Sequence, residues 1–112
     1  MKAIKIFFAL LLIMSSNRLH AQTDSVKIKT SAICDQCKDR IENDLSFEKG
    51  VKSSKLDLDT KVITVVFNSK KTDPQKIREA ITRIGYDADS LKADPKSYSK
   101  LPDCCKHEPK KD

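Results

Sequence analysis

The sequence predicts an α+β domain with the element order β-α-β-β-α-β, a four-stranded antiparallel sheet carrying two helices on one face. Three observations point there. Residues 61–67 (Lys-Val-Ile-Thr-Val-Val-Phe) are β-branched almost throughout, which suits a pleated, packed strand. Two polar residues, Asp59 and Thr60, separate this run from a second alternating one, as in an antiparallel hairpin. Two short segments on either side of the hairpin carry apolar residues at spacings of three or four, so each reads as a helix with one buried stripe.

Taken in chain order, Val26-Lys27-Ile28-Lys29 alternates apolar and polar and is the first, half-buried strand. Thr30 to Cys37 is a loop. Between Lys38 and Leu45 only Ile41 and Leu45 are apolar, giving a short helix with Asp35 as its candidate cap and Lys49-Gly50 as its stop. Val51 to Leu58 is the second strand, with Leu56 and Leu58 on one face; Lys61 to Phe67 is the third, with Ile63, Val65 and Phe67 on one face. Thr72 or Asp73 caps a second helix that begins at Pro74, where proline is favoured. Its stripe is Ile77, Ala80, Ile81 and Ile84, and Gly85 ends it. Tyr86 to Ser90 is a weak fourth strand. From Leu91 onward Lys, Asp, Pro and Ser dominate, so residues 92–112 read as a flexible tail. This order of elements is the ferredoxin-like arrangement.

A chain of 112 residues allows one small domain with a tail. Apolar residues at 38% and charged residues at 34% describe a globular domain with a heavily charged surface. The absence of Trp, with aromatics at 5%, argues against a stacking platform for single-stranded nucleic acid. Two glycines rule out a Gly-rich phosphate loop. Residues 1–21 read as a secretory signal: Lys2 and Lys5, then the apolar run Ile6 to Met14, then a polar end closing in Leu19-His20-Ala21. A membrane anchor needs about 20 apolar residues, and this run is much shorter. Cleavage after Ala21 leaves a domain over residues 22–91 followed by the tail. It also removes Lys2, Lys5 and Arg18, so half of the +6 net charge belongs to the signal and no nucleic-acid partner is implied. The expected mature chain is secreted across the inner membrane into the periplasm, monomeric and not membrane-inserted. Its surface lysines (Lys27, Lys29, Lys52, Lys55, Lys70, Lys71) read as a solvated face, with steering of an acidic partner as the alternative.

All four cysteines lie beyond the cleavage point. Cys34 and Cys37, two residues apart, stand where the first strand meets the first helix, so both sulfurs can converge on one point. The helix N-terminus and nearby Lys38 favour the thiolate, which is both metal ligand and nucleophile. Soft thiolates select Cu(I), Zn(II) or Hg(II). The same spacing serves thiol-disulfide oxidoreductases, and outside the cytoplasm it also serves a plain disulfide. Against redox chemistry, the motif has neither a neighbouring Trp nor an internal Pro.

With Cys34 and Cys37, Ile41-Glu42 and Leu45, Gly50-Val51, and Ile81 to Tyr86 ending in Gly85-Tyr86, the chain resembles the heavy-metal-associated domain family over roughly residues 25–90. That family includes copper metallochaperones, the N-terminal modules of metal-transporting ATPases and periplasmic mercury carriers. The resemblance implies a non-enzymatic module that binds a soft ion, Cu(I) first and Hg(II) or Zn(II) as alternatives. It would sequester the ion or pass it by ligand exchange to a metal-transporting or metal-accepting protein. A small thiol-disulfide oxidoreductase is the rival reading. The family loop commonly reads Gly-Met-Thr before the first cysteine; here it is Ser31-Ala32-Ile33, which puts Ala32 where a buried Met would brace the loop.

Cys104-Cys105-Lys106-His107, flanked by Pro102 and Pro109, is the second cysteine feature. Two thiolates and an imidazole lack one ligand for tetrahedral Zn(II). The segment could form such a half-site, fold back to add ligands to Cys34 and Cys37, form an oxidised clasp to them, or do nothing. The stretch from Leu91 is long enough to return to the loop.

Overall fold

The β-branched run forms the central strand, β3 (Val62–Asn68). It pairs antiparallel with β1 (Thr23–Lys29) on one side and with β2 (Val51–Asp57) on the other. The order is therefore β1-β3-β2. The computed structural model describes residues 22–106; the signal at 1–21 and His107 lie outside the described residues. Because side chains alternate along a strand, the register Ile28↔Ile63, Val26↔Val65 and Leu56↔Ile63 sets the faces. Ile28, Leu56, Ile63, Val65 and Phe67 all enter the buried core. Two helices, α1 (Asp35–Leu45) and α2 (Pro74–Ile84), close that face with Cys37, Ile41 and Leu45 from the first and Ile77, Ala80 and Ile81 from the second.

The helix ends follow their sequences, with two corrections. Asp73 caps α2 by accepting the Lys76 amide at 2.9 Å, Pro74 is its first residue, and Gly85 ends it at φ 121°. In α1, Asp35 is the first helical residue rather than the cap; Cys34 holds the capping position, and its side chain makes no capping bond to the helix backbone. The helix also stops at Leu45, before Gly50, whose φ of 85° instead turns the chain into β2. The β2–β3 connection is Leu58 to Lys61 rather than two residues. Lys61 takes a left-handed φ of 64° and donates its amide to the Asp57 carbonyl at 2.7 Å, the geometry of a longer hairpin loop.

The expected fourth strand does not form, and the sheet has three strands among the described residues. Residues 86–90 make one isolated bridge, Thr30↔Ala88, just past the end of β1, then fold back on themselves through Ala88↔Leu91. The segment has two aspartates and no β-branched residue, so it lacks side chains that hold an extended edge. Asp89 adopts φ 53° and clamps the end of β1 instead. Its amide donates to the Lys29 carbonyl at 2.8 Å, and its carboxylate accepts the Lys29 amide at 2.9 Å and Arg78 Nε at 2.8 Å.

The tail reading is corrected as well: residues 92–106 are ordered against the domain. Asp94 caps a short helix, α3 (Pro95–Ser99), by accepting the Ser97 amide at 3.0 Å, and its own amide donates to the Thr82 carbonyl at 3.0 Å. A 3-10 turn follows at Asp103–Cys105. Leu101 and Cys105 are buried in the main core. Composition alone suggested flexibility because two apolar anchors among so many polar residues carry little weight in an average.

Candidate metal centre

The loop that presents Cys34 is pinned from both sides. Thr30 donates its hydroxyl to the Lys61 carbonyl at 2.9 Å and accepts the Ala32 amide at 3.2 Å. Ser31 Oγ accepts the Asp87 amide at 2.9 Å. Ala32 is fully buried, so it does fill the bracing position, while Ile33 beside the cysteine is exposed. These anchors fix the chain just before α1 begins.

The two motif cysteines are not equivalent. Cys34 is half-buried at the capping position; Cys37 lies inside the first turn of α1 and is fully buried. The expectation that both lie in the loop Thr30 to Cys37 therefore holds for the first only. Their sulfurs are 3.3 Å apart. Lys38, expected to favour the thiolates, instead pairs with Glu42 four residues on at 2.5 Å. Glu42 also accepts the Leu56 amide at 2.7 Å and so ties α1 to β2.

The carboxy-terminal turn brings the other two cysteines to the same place. Cys34 Sγ is 4.0 Å from Cys105 Sγ and 3.3 Å from the Cys104 carbonyl oxygen. The Cys104 and Cys105 sulfurs are 3.9 Å apart. Cys104 is exposed and donates its thiol to Gln36 Oε1 at 3.0 Å; Cys105 is fully buried. The sulfurs of Cys34, Cys104 and Cys105 all lie within 4.8 Å of one another, close enough to share one ion. Of the alternatives for the tail, folding back onto the loop matches this arrangement. All four cysteines are free thiols here.

Tyr86 forms the floor. It is fully buried, and its pKa is pushed up, first by burial and then by the adjacent Cys105 and Cys37 sulfurs. Its hydroxyl nonetheless meets no partner in hydrogen-bonding geometry among the described residues. Sequence reasoning placed Tyr86 at the start of a weak fourth strand and in the Gly85-Tyr86 signature, but not as a wall of the site. It also passed over Gln36 and Leu101. For Leu101 the available signal was one large aliphatic residue immediately before Pro102 in an otherwise polar stretch.

A family model described as the heavy-metal-associated domain matches residues 26–87. The copper chaperone CopZ of Staphylococcus haemolyticus is 33% identical over 54 residues, covering 48% of this chain and 79% of that protein. The oxidised form of MerP from Ralstonia metallidurans CH34 superposes with a TM-score of 0.56 at 25% identity, covering 59% of this chain and 93% of MerP. A CopZ metallochaperone structure gives a TM-score of 0.56 at 24% identity, over 58% of this chain and 98% of its own, and so speaks for the fold. The family match ends well before Cys104.

Proposed function

The chain belongs to the heavy-metal-associated domain family, and from that premise we propose that it is an exported carrier of a soft thiophilic ion, Cu(I) first, bound through Cys34 and Cys37. The observation that carries this reading is the 3.3 Å approach of the two sulfurs at the start of α1. Two thiolates that meet at one point can open around an ion of low coordination number, and thiolate softness favours Cu(I) or Hg(II). The exposed side of Cys34 gives an acceptor protein room to offer its own thiolates, so cargo moves by ligand exchange. Similarity to a copper chaperone and to MerP supports a carrier over a thiol-disulfide oxidoreductase. Export rests on the signal read in residues 1–21, with the periplasm as the destination.

The test is competition for Cu(I) against a chromophoric chelator with the reduced chain. The native protein should take close to one equivalent, and Cys34→Ser/Cys37→Ser should lose tight binding. Undiminished Cu(I) affinity in that double variant would overturn the reading. Catalysed reduction of insulin disulfides at rates typical of an oxidoreductase would do the same. Export is checked separately, by the N-terminal residue of the protein recovered after secretion: Gln22 is expected.

A further inference from the structure

We infer that Cys105 and Cys104 are the third and fourth ligands of the Cys34–Cys37 site, supplied in cis by the carboxy-terminal strap, and that the site thereby accepts a four-coordinate divalent thiophilic ion of the Zn(II) or Cd(II) class. The inference rests on the reading of Cys34 and Cys37 as metal ligands, and adds to it a coordination number and a second class of cargo. Two thiolates suffice for Cu(I) or Hg(II); a closed zinc site takes four ligands.

The distances favour a shared ion. With metal–sulfur bonds of about 2.3 Å, a tetrahedral site has sulfur–sulfur edges of about 3.8 Å. Three of the six edges, at 3.3, 4.0 and 3.9 Å, bracket that value. Cys34, Cys104 and Cys105 already lie within 4.8 Å of one another, while Cys37 touches the group only through Cys34 and closes the tetrahedron by a small inward shift on loading. Loading removes four thiol protons to solvent and replaces them with four metal–sulfur bonds. The thiol bonds from Cys104 to Gln36 and from Cys34 to the Cys104 carbonyl are given up in the process.

Apolar packing and backbone bonds hold the strap at the site. Leu101 is buried and sits so close to Gly85 that a methyl group there would lie 3.2 Å from Leu101 Cδ1 and Cγ. The Asp94 cap on α3 and the Asp94–Thr82 backbone bond fix the start of the strap. Burial of Leu101 and Cys105 offsets the chain entropy of closing the segment. A segment held this way presents its sulfurs at a fixed place, as a preorganised ligand set must. Cys104, the exposed member, is the first ligand that an acceptor could displace.

Cd(II) is the probe, because each cadmium–thiolate bond adds ultraviolet charge-transfer absorbance and the cadmium chemical shift reports the number of sulfurs. The full reduced chain should bind one Cd(II) with the signature of four thiolates. Cys104→Ser, at an exposed position that leaves the fold intact, and Cys105→Ala, which keeps the core apolar, should each lose one thiolate. Their double variant should bind Cd(II) roughly 100-fold more weakly, since two ligands of four are gone. Its Cu(I) affinity should change by less than about tenfold, two thiolates being enough for that ion. In the native chain, Cd(II) should also slow alkylation of Cys104. A two-thiolate signature, unchanged Cd(II) affinity in the double variant, or no Cd(II) binding beside normal Cu(I) binding would each overturn the inference and leave the carrier reading standing. Loss of both ions from the native chain would overturn both.

Discussion

The two cysteine pairs reach one site by opposite means. Cys34 and Cys37 are two residues apart and are held by a helix start, a pinned loop and the sheet behind them. Cys104 and Cys105 are adjacent and sit on a segment held chiefly by one leucine and a capped five-residue helix. Yet each pair has one fully buried sulfur, Cys37 or Cys105, and one that solvent reaches, Cys34 or Cys104. The buried member of each pair belongs to the core as much as to the site, whereas the outer member faces solvent. The pairs therefore differ in how firmly they are held rather than in chemistry.

That comparison breaks most visibly at the shared core. Ile81 on α2 is fully buried in the cluster that contains Cys37, Cys105 and Val65. Ile81→Ala should cost about 2–5 kcal/mol in chemical denaturation, and both pairs should lose their cargo affinity together. A cost below about 0.5 kcal/mol would mean that α2 does not support the site. Leu101→Ala separates the pairs. It should cost about 2–3 kcal/mol and raise the alkylation rate of Cys105 while leaving Cys37 protected. Equal exposure of both cysteines would show that strap and core unfold as one unit.

The inner and outer sulfurs can be compared within the first pair. Cys37→Ser places a hydroxyl in the core and should destabilise by about 1–3 kcal/mol. Cys34→Ser, half-exposed, should fall within about 0.5 kcal/mol of the native protein. Thermal denaturation of the two metal-free variants measures the difference, and similar values would deny the distinction between them.

The smallest effect concerns the clamp that stands where a fourth strand was expected. Burial alone would raise the Asp89 pKa, but the Arg78 guanidinium, the Lys29 amide and the Arg78 charge outweigh it and hold the carboxyl below its ordinary value. A lowered folded-state value means that the ionised clamp stabilises the fold above the unfolded pKa of about 3.9. That contribution disappears as the pH falls through the folded value. The groups are about a third exposed, so it should be no more than about 1 kcal/mol. Asp89→Asn should therefore be less stable than the native chain at pH 6, with the gap closing as the medium approaches pH 2. A pH-independent gap would assign the effect to lost packing instead.

Much of this was legible because it was written locally. The β-branched run of β3, the Asp73-Pro74 start of α2 and the Cys34–Cys37 spacing each need only a few adjacent residues to be read, and each stands in the structure. What was missed depends on distant partners. Asp89 could not be seen to clamp Lys29 across 60 positions, so residues 86–90 were given a strand on pattern alone. Leu101 looked like a stray apolar residue because the Gly85 surface that receives it is formed by a different element. Cys37 was placed in the loop rather than in the helix because the motif says nothing of how early α1 begins.

The open flank left by that missing strand has a consequence for how the protein behaves in a crowded compartment. Among the described residues, β1 pairs only with β3, so its other edge offers unpaired backbone groups to any passing strand. Such edges seed sheet-to-sheet association unless charge or irregularity blocks them. Here Asp24, Lys27 and Lys29 line the strand as exposed residues, and the Asp89 clamp closes its end. An incoming strand would have to strip water from these charges and would find the last rung already taken, so the edge is guarded against self-association at high concentration.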